Sequence, residues 1–178
     1  MTTWIGLIRG INVGGNNILP MASLKRDLES LGCQDVRTYI QSGNVVLNSN
    51  AKSANSLADK IANCIHQNHG FRPEVVLLTP HELKAAREAS PFPQAAAQPK
   101  SLHFFFPISS VSNPNMDALN NLRLPNEQFE LTEKVLYLYA PDGIARSKLA
   151  TNISKHLGVS TTARNLRTVE KLLEIAGS

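Results

Sequence analysis

Trp4-Ile5-Gly6-Leu7-Ile8 runs directly into Arg9-Gly10-Ile11-Asn12-Val13-Gly14-Gly15-Asn16-Asn17, an apolar segment that opens into glycines, amides and a single cation. The apolar run reads as a buried strand and Leu19-Pro20-Met21 as a helix entry, so the glycine stretch is a strand-to-helix loop. Glycine reaches backbone dihedrals closed to other residues and lets a ligand approach the main chain. Exposed N–H groups of such a turn can cradle an anion, with Arg9 adding charge and Asn12, Asn16 and Asn17 adding amides. The glycine spacing is not that of a dinucleotide fingerprint, and no Gly-Lys-Ser/Thr follows to make a P-loop. A long turn without a ligand explains the glycines equally well, since they punctuate loops for backbone reasons alone.

Outward from this loop the pattern spells a repeated unit. Met21, Leu24, Leu28 and Leu31 fall at helical spacing, closed by Gly32. Asp35 to Gln41 alternates and turns through Ser42-Gly43-Asn44 into Val45-Val46-Leu47, which predicts a hairpin. Leu57, Ile61 and Ile65 predict a second helix to about Gly70, and Glu74 to Leu78 a closing strand. The order β-α-β-β-α-β is that of the ferredoxin-like, split βαβ arrangement. Thr79-Pro80-His81-Glu82 then has the form of a capping box opening a bridging helix to about Ala89, and Pro91, Pro93 and Pro99 mark a linker. Beyond it come a strand at 102–106, a helix opened by Asn113-Pro114, strands at 128–132 and 135–139, a helix through Leu149, Ile153 and Leu157, and a last helix carrying Leu166, Val169, Leu172 and Leu173. The fold class expected is α+β, two ferredoxin-like β-α-β-β-α-β units, with domains at 1–79 and 101–178 joined by a bridging helix and linker at 80–100. Both alternate sets of the strands at 4–8, 102–106 and 135–139 are largely apolar. A sheet with helices on one face only should show a polar second face. The second face is therefore expected to be covered, with a ligand cleft where the halves meet.

Composition sets bounds on function. In 178 residues, a 42% hydrophobic share supports a real core, while the net charge of +4 is spread without a basic block and permits an anionic partner without requiring one. The first residues lack a basic segment followed by a long apolar stretch, and nowhere do about 18 apolar residues run together, so a cytoplasmic protein with no membrane partner is expected. Cys33 and Cys64 are too few for a disulfide framework and too far apart for a Cys-x-x-Cys motif. His66 and His69 near Cys64 match no standard zinc spacing, and a histidine at a helix C-terminus is favoured by the dipole alone. Ser42 lacks the flanking glycines of a nucleophile elbow. No pair of carboxylates has a spacing that singles out acid and base roles.

Two further clusters carry candidate ligand groups. Arg37, Tyr39, Gln41 and the turn Ser42-Gly43-Asn44 lie in a hairpin that a β-α-β-β unit can bring beside the first strand; an exposed strand face with a tight turn is the alternative. Thr161-Thr162-Ala163-Arg164-Asn165-Leu166-Arg167-Thr168 precedes or opens the last helix, where free N–H groups favour an anion. Capping by Thr162 or Asn165 is the alternative there.

The Arg9 to Gly15 run, the run Thr38-Tyr39-Ile40-Gln41-Ser42-Gly43-Asn44-Val45, and the late Arg164-Asn165 with Thr168 together resemble the bacterial domain-of-unknown-function family 1697, across essentially the whole chain. The resemblance implies two ferredoxin-like α+β units and no particular reaction. The family commonly has lysines where Asn16 and Ile18 stand, and a Thr-Arg-Asn-Trp-Asn-Thr run where this chain has Ala163 to Thr168. These departures weaken a phosphate reading and remove one stacking platform.

The residues expected to face a ligand are Arg9, Gly10, Asn12, Gly14, Gly15 and Asn16 from the first loop, Tyr39, Gln41, Ser42 and Asn44 from the hairpin, and Arg164, Asn165 and Thr168 from the late run. The expected function is binding of a small anionic, phosphorylated or nucleotide-like ligand in a cleft between the halves, with no cofactor and no metal. An enzyme acting on a phosphorylated or carboxylated metabolite, a protein-interaction module and a weak nucleic-acid binder are the alternatives. Nucleic acid ranks below a small anion because Asn44 to Leu47 carries no stacking aromatic.

Overall fold

Helix and strand periodicity resolve, in a computed structural model that describes residues 1–177, into two four-stranded antiparallel sheets with six α-helices. The elements are β1 (Thr2–Ile8), α1 (Met21–Ser30), β2 (Gln34–Tyr39), β3 (Asn44–Ser49), α2 (Ala54–His69), β4 (Val75–Leu78), α3 (Pro80–Glu88), β5 (Leu102–Pro107), α4 (Met116–Leu122), β6 (Gln128–Leu131), β7 (Leu136–Tyr139), α5 (Lys148–Leu157), β8 (Thr161–Asn165) and α6 (Leu166–Ala176). Strand order is β2-β3-β1-β4 in one sheet and β6-β7-β5-β8 in the other. The chain divides into two compact units. One comprises Met1–Lys84 with the chain from Lys171, the other Ala85–Glu170, so both α3 and α6 are shared between units.

In the first unit, Trp4 on β1 stands opposite Leu47 on β3, and both join Leu24, Leu28, Leu57, Ile61 and Ile65 of α1 and α2 in one apolar cluster. The intervening residues Ile5 and Leu7 point to the other face and are also fully buried. That explains why β1 reads as an unbroken apolar run rather than an alternation. Helix α2 is closed at both ends as its sequence dictates. Ser53 accepts from the Ser56 N–H at the start, and Gly70 takes the left-handed conformation at the end. His69 in the last turn places Nε2 2.7 Å from Asp27 Oδ2 of α1, and Asn68 donates to the other carboxylate oxygen, which pins the two helices together.

In the second unit Phe105, Leu136 and Leu138 pack against Leu119 of α4 and Leu149, Ile153 and Leu157 of α5. Phe104 and Tyr137 occupy the opposite face in an edge-to-face contact, and the Tyr137 hydroxyl donates to the Ala86 carbonyl of α3. The capping box is formed: Glu82 N–H donates to Thr79 Oγ1 and Thr79 N–H to the Glu82 carboxylate. Three expectations change. Thr161–Asn165 is a strand, β8, because five consecutive residues pair antiparallel with β5. The proline stretch folds into two 3-10 turns, Pro93–Ala97 and Pro99–Ser101, that bury Phe92 and Ala95. Helix α4 is capped by Asn115, which accepts from the Ala118 N–H, and not by Asn113.

Candidate functional site

The end of β1 is fixed on both sides. Ile8 N–H donates to the Gly43 carbonyl at 2.8 Å, and Arg9 N–H to the Glu74 carbonyl at 2.9 Å. From there Ile11 and Leu19, both buried, anchor the two feet of an exposed excursion between them. Asn12 N–H donates to the Asn17 carbonyl and Asn16 N–H to the Val13 carbonyl, making a miniature hairpin whose two tip residues, Gly14 and Gly15, have φ of 58° and 76°. Two consecutive positive φ values define the mirror-image turn that closes such a hairpin, and glycine adopts it without a steric cost. Asn12 and Asn17 also take left-handed conformations, which asparagine tolerates better than other non-glycine residues.

The Asn12 side chain joins this hairpin to the second cluster. Its Oδ1 accepts from Leu19 N–H at 2.8 Å, while Nδ2 donates to the Leu19 carbonyl at 2.9 Å and to the Gln41 carbonyl at 2.7 Å. On the other side of that contact, Gly43 lies so close to β1 that a Cβ would stand 2.7 Å from the Ile8 carbonyl oxygen, and its φ is +80°. Asn44 is fully buried and donates to the Tyr39 carbonyl and Ser42 Oγ, closing the turn from within. Ile40, beside Gln41, sits at φ +49° although its side chain is branched at Cβ and half-exposed. Strain of this kind persists only where the surrounding bonds impose it.

Of the thirteen candidate residues, the ten in the first unit therefore form one rim from two separate stretches of sequence. Asn12 and Asn44 hold it together, Ser42 receives the Asn44 amide and Tyr39 is half-buried. Gly10, Gly14, Gly15, Asn16 and Gln41 are exposed. Among the described residues the N–H groups of Gly14 and Gly15 donate to no protein acceptor. Arg9 Nη1 pairs with Glu74 Oε2 at 3.0 Å. Glu74 was missed from sequence, where 65 residues separate the two; the pairing of Ile8 with Val75 in the sheet places them side by side.

Arg164, Asn165 and Thr168 meet at the junction of β8 and α6 in the second unit. Arg164 lies opposite Phe104 in the sheet, and its Nη1 donates to Thr162 Oγ1 and the Ala163 carbonyl. Burial lowers its pKa to about 10. Asn165 Oδ1 accepts from Thr168 N–H at 3.0 Å, so the capping role is the one its side chain performs. A polar cavity of about 630 Å³ in the first unit is lined by Thr3, Lys25, Glu29, Asp35, Val36, Arg37, Asn48 and Ala176, and by none of the thirteen. Among the described residues no His, Cys, Asp and Glu side chains are grouped to hold a metal ion, and no helix is long and apolar enough to cross a membrane. Strand β3 has no aromatic residue and is mostly buried, so it offers no stacking platform of the kind that RNA-recognition sheets expose.

The family model described as protein of unknown function (DUF1697) matches residues 1–137, and the chain belongs to that family. A solved structure described as that of the conserved bacterial protein SP0830 from Streptococcus pneumoniae is similar over 98% of this chain and 98% of its own, with 25% sequence identity and a TM-score of 0.71. No curated protein matches.

Proposed function

We propose that this member of a family of unknown function binds a small anionic ligand, phosphorylated or nucleotide-like, on the rim that Arg9, Gly10, Gly14, Gly15, Asn16 and Gln41 form in its first unit. One observation carries the reading: two adjacent, exposed glycines whose N–H groups have no acceptor among the described residues sit at the tip of a loop that starts at Arg9 and that the Asn12 amide ties to Leu19 and Gln41. Preorganised N–H donors bind an anion without the ordering cost a flexible loop imposes. Asn12, Ser42 and Asn44 are the frame of the site, and Tyr39 offers a partly exposed ring at its edge. Glu74 positions the Arg9 guanidinium until a ligand oxygen replaces it. Arg164, Asn165 and Thr168 shape the start of α6 in this reading and do not face the ligand.

Each unit is read as ferredoxin-like and the chain as a structural duplication. Supporting this are the shared element order β-α-β-β-α-β and the equivalent sheet orders β2-β3-β1-β4 and β6-β7-β5-β8. A cytoplasmic location fits Cys33 and Cys64, which form no disulfide.

The test is an amide NMR titration with AMP. Saturable shifts at Gly14 and Gly15 that weaken as salt rises, and that Arg9→Ala largely removes, are the expected result. Gly14 and Gly15 amides that stay unmoved at millimolar AMP rule the reading out. A second reading, a protein-interaction module, is favoured by the exposed aliphatic side chains Val13, Ile18 and Ile40 on the same two loops. Light scattering that shows a concentration-dependent oligomer, lost in Ile18→Ser, distinguishes it.

A further inference from the structure

The late run carries a second arginine whose surroundings are opposite to those of Arg164. Arg167, two residues into α6, is exposed and lines a cavity of about 390 Å³ walled by Pro99, Lys100, Ser101, Pro141 and Gly143. Among the described lining residues the charged ones are two cations, Lys100 and Arg167, with no carboxylate. Neither side chain forms a hydrogen bond or ion pair with another described residue. Arg9, Arg72, Arg87 and Lys171, by contrast, each have a carboxylate partner. Two like charges around one concavity repel each other, and an anion between them reverses that cost.

Hydrogen bonds tie the walls together. Ser101 is buried, its hydroxyl and N–H both donate to the Gln98 carbonyl, and its own carbonyl accepts from Ala140 N–H at 2.8 Å. Gly143 N–H donates to the Ala140 carbonyl, and its φ of +80° keeps a side chain out of the turn. Pro99 and Pro141 contribute flat apolar surface with no N–H to satisfy. A volume of 390 Å³ lies near the small end of the roughly 300–1,000 Å³ range of ligand pockets.

We propose that the second unit carries its own anion site here, which takes a phosphate monoester of a small ring compound, its phosphate on Lys100 and Arg167 and its ring against the two prolines. The site is independent of the rim in the first unit. Both arginines of the late run favour an anion in the sequence, where only Arg164 is a candidate ligand residue, and nothing local marks Lys100.

The experiment is an amide NMR titration of the full chain with inorganic phosphate, AMP and adenosine, followed at Ser101, Gly143 and Arg167. Saturable shifts with phosphate and with AMP are expected, AMP binding more tightly and adenosine at least about tenfold more weakly than AMP, because the charge-assisted bonds go to the phosphate. The double variant Lys100→Met/Arg167→Met, at two exposed positions, should keep its thermal midpoint and lose tenfold or more in AMP affinity at these amides, about the effect of one charge-assisted hydrogen bond. Absent shifts with both anions, adenosine binding as tightly as AMP, or unchanged affinity in the double variant would each overturn the proposal. Arg9→Ala leaves these three amides unaffected, and the double variant leaves Gly14 and Gly15 unaffected, so the two sites fail or stand separately.

Discussion

Replacing Asn12 by alanine removes three hydrogen bonds at once, those to Leu19 N–H, the Leu19 carbonyl and the Gln41 carbonyl. Each contributes about 1 kcal/mol net in a folded protein. Alanine must also take up the φ of 54° that Asn12 adopts, at about 1 kcal/mol more. The sum is about 4 kcal/mol. Water reaches the exposed Gln41 and replaces one of the lost bonds in part, so the expected destabilisation is about 3 kcal/mol. Asn12→Gly separates the two causes: it loses the same bonds without the left-handed cost and should be about 1 kcal/mol less damaging. Trp4 is the single tryptophan and lies buried in the core of the first unit, so its fluorescence during urea unfolding reports on that unit. An Asn12→Ala protein within about 0.5 kcal/mol of the original would refute the clamp, since that is the range of substitutions that touch nothing. Equal losses for the alanine and glycine variants would refute the conformational part alone.

Gly43→Ala should cost about 3 kcal/mol, combining the left-handed φ of +80° with a methyl 2.7 Å from the Ile8 carbonyl and 2.9 Å from Ile8 Cβ; a thermal midpoint unchanged from the original contradicts it. Tyr137→Phe removes the bond to the Ala86 carbonyl while keeping the ring contact with Phe104, and about 1 kcal/mol should disappear from the stability measured in urea. Leu28→Ala, at a fully buried position of α1, should cost about 2 to 5 kcal/mol, read by Trp4 fluorescence. His103 supplies a pH dependence: burial holds its pKa below the ordinary 6.5, outweighing a hydrogen bond donated by the ring to the Ser101 backbone, which raises it. The unfolded chain therefore binds this proton more readily than the folded one, so stability from this residue is complete above pH 6.5 and declines as pH falls through that value. His103→Gln should flatten the loss of stability on acidification relative to the original chain, and an identical slope in both proteins removes His103 as its source.

Fold elements were legible wherever burial imposes a period. Leu24 and Leu28, or Leu149, Ile153 and Leu157, can be read as helix faces because each is buried against a sheet. Thr161–Asn165 escaped because only Thr161 and Thr162 of its five residues are buried, and Thr-Thr-Ala-Arg-Asn shows neither an apolar run nor an alternation. Its two β-branched residues were the available signal. The prolines at 91–99 suggest a linker because proline interrupts regular helices, yet Pro93 and Pro99 each open a 3-10 turn, where a missing N–H costs nothing.

The site was legible by residue type but not by role. Asn12, Asn16 and Asn44 look alike in the sequence, while in the fold Asn12 has both amide protons engaged, Asn44 is fully buried and only Asn16 is exposed. What separates them is how many carbonyls lie within reach, and the Gln41 carbonyl reaches Asn12 only after the sheet has brought residues 29 apart into contact. The two late arginines make the same point through strand geometry. Arg164 is three residues before Arg167, a spacing that would put both on one face of a continuous helix. The strand instead continues to Asn165, so Arg164 follows its alternation onto the face shared with Phe104 and is desolvated there. Arg167 falls beyond the strand end, on the first turn of α6, and lies exposed at a cavity. Which arginine can meet a ligand is thus set by where one strand stops, a boundary decided by pairing with β5 and invisible in the run of residues itself.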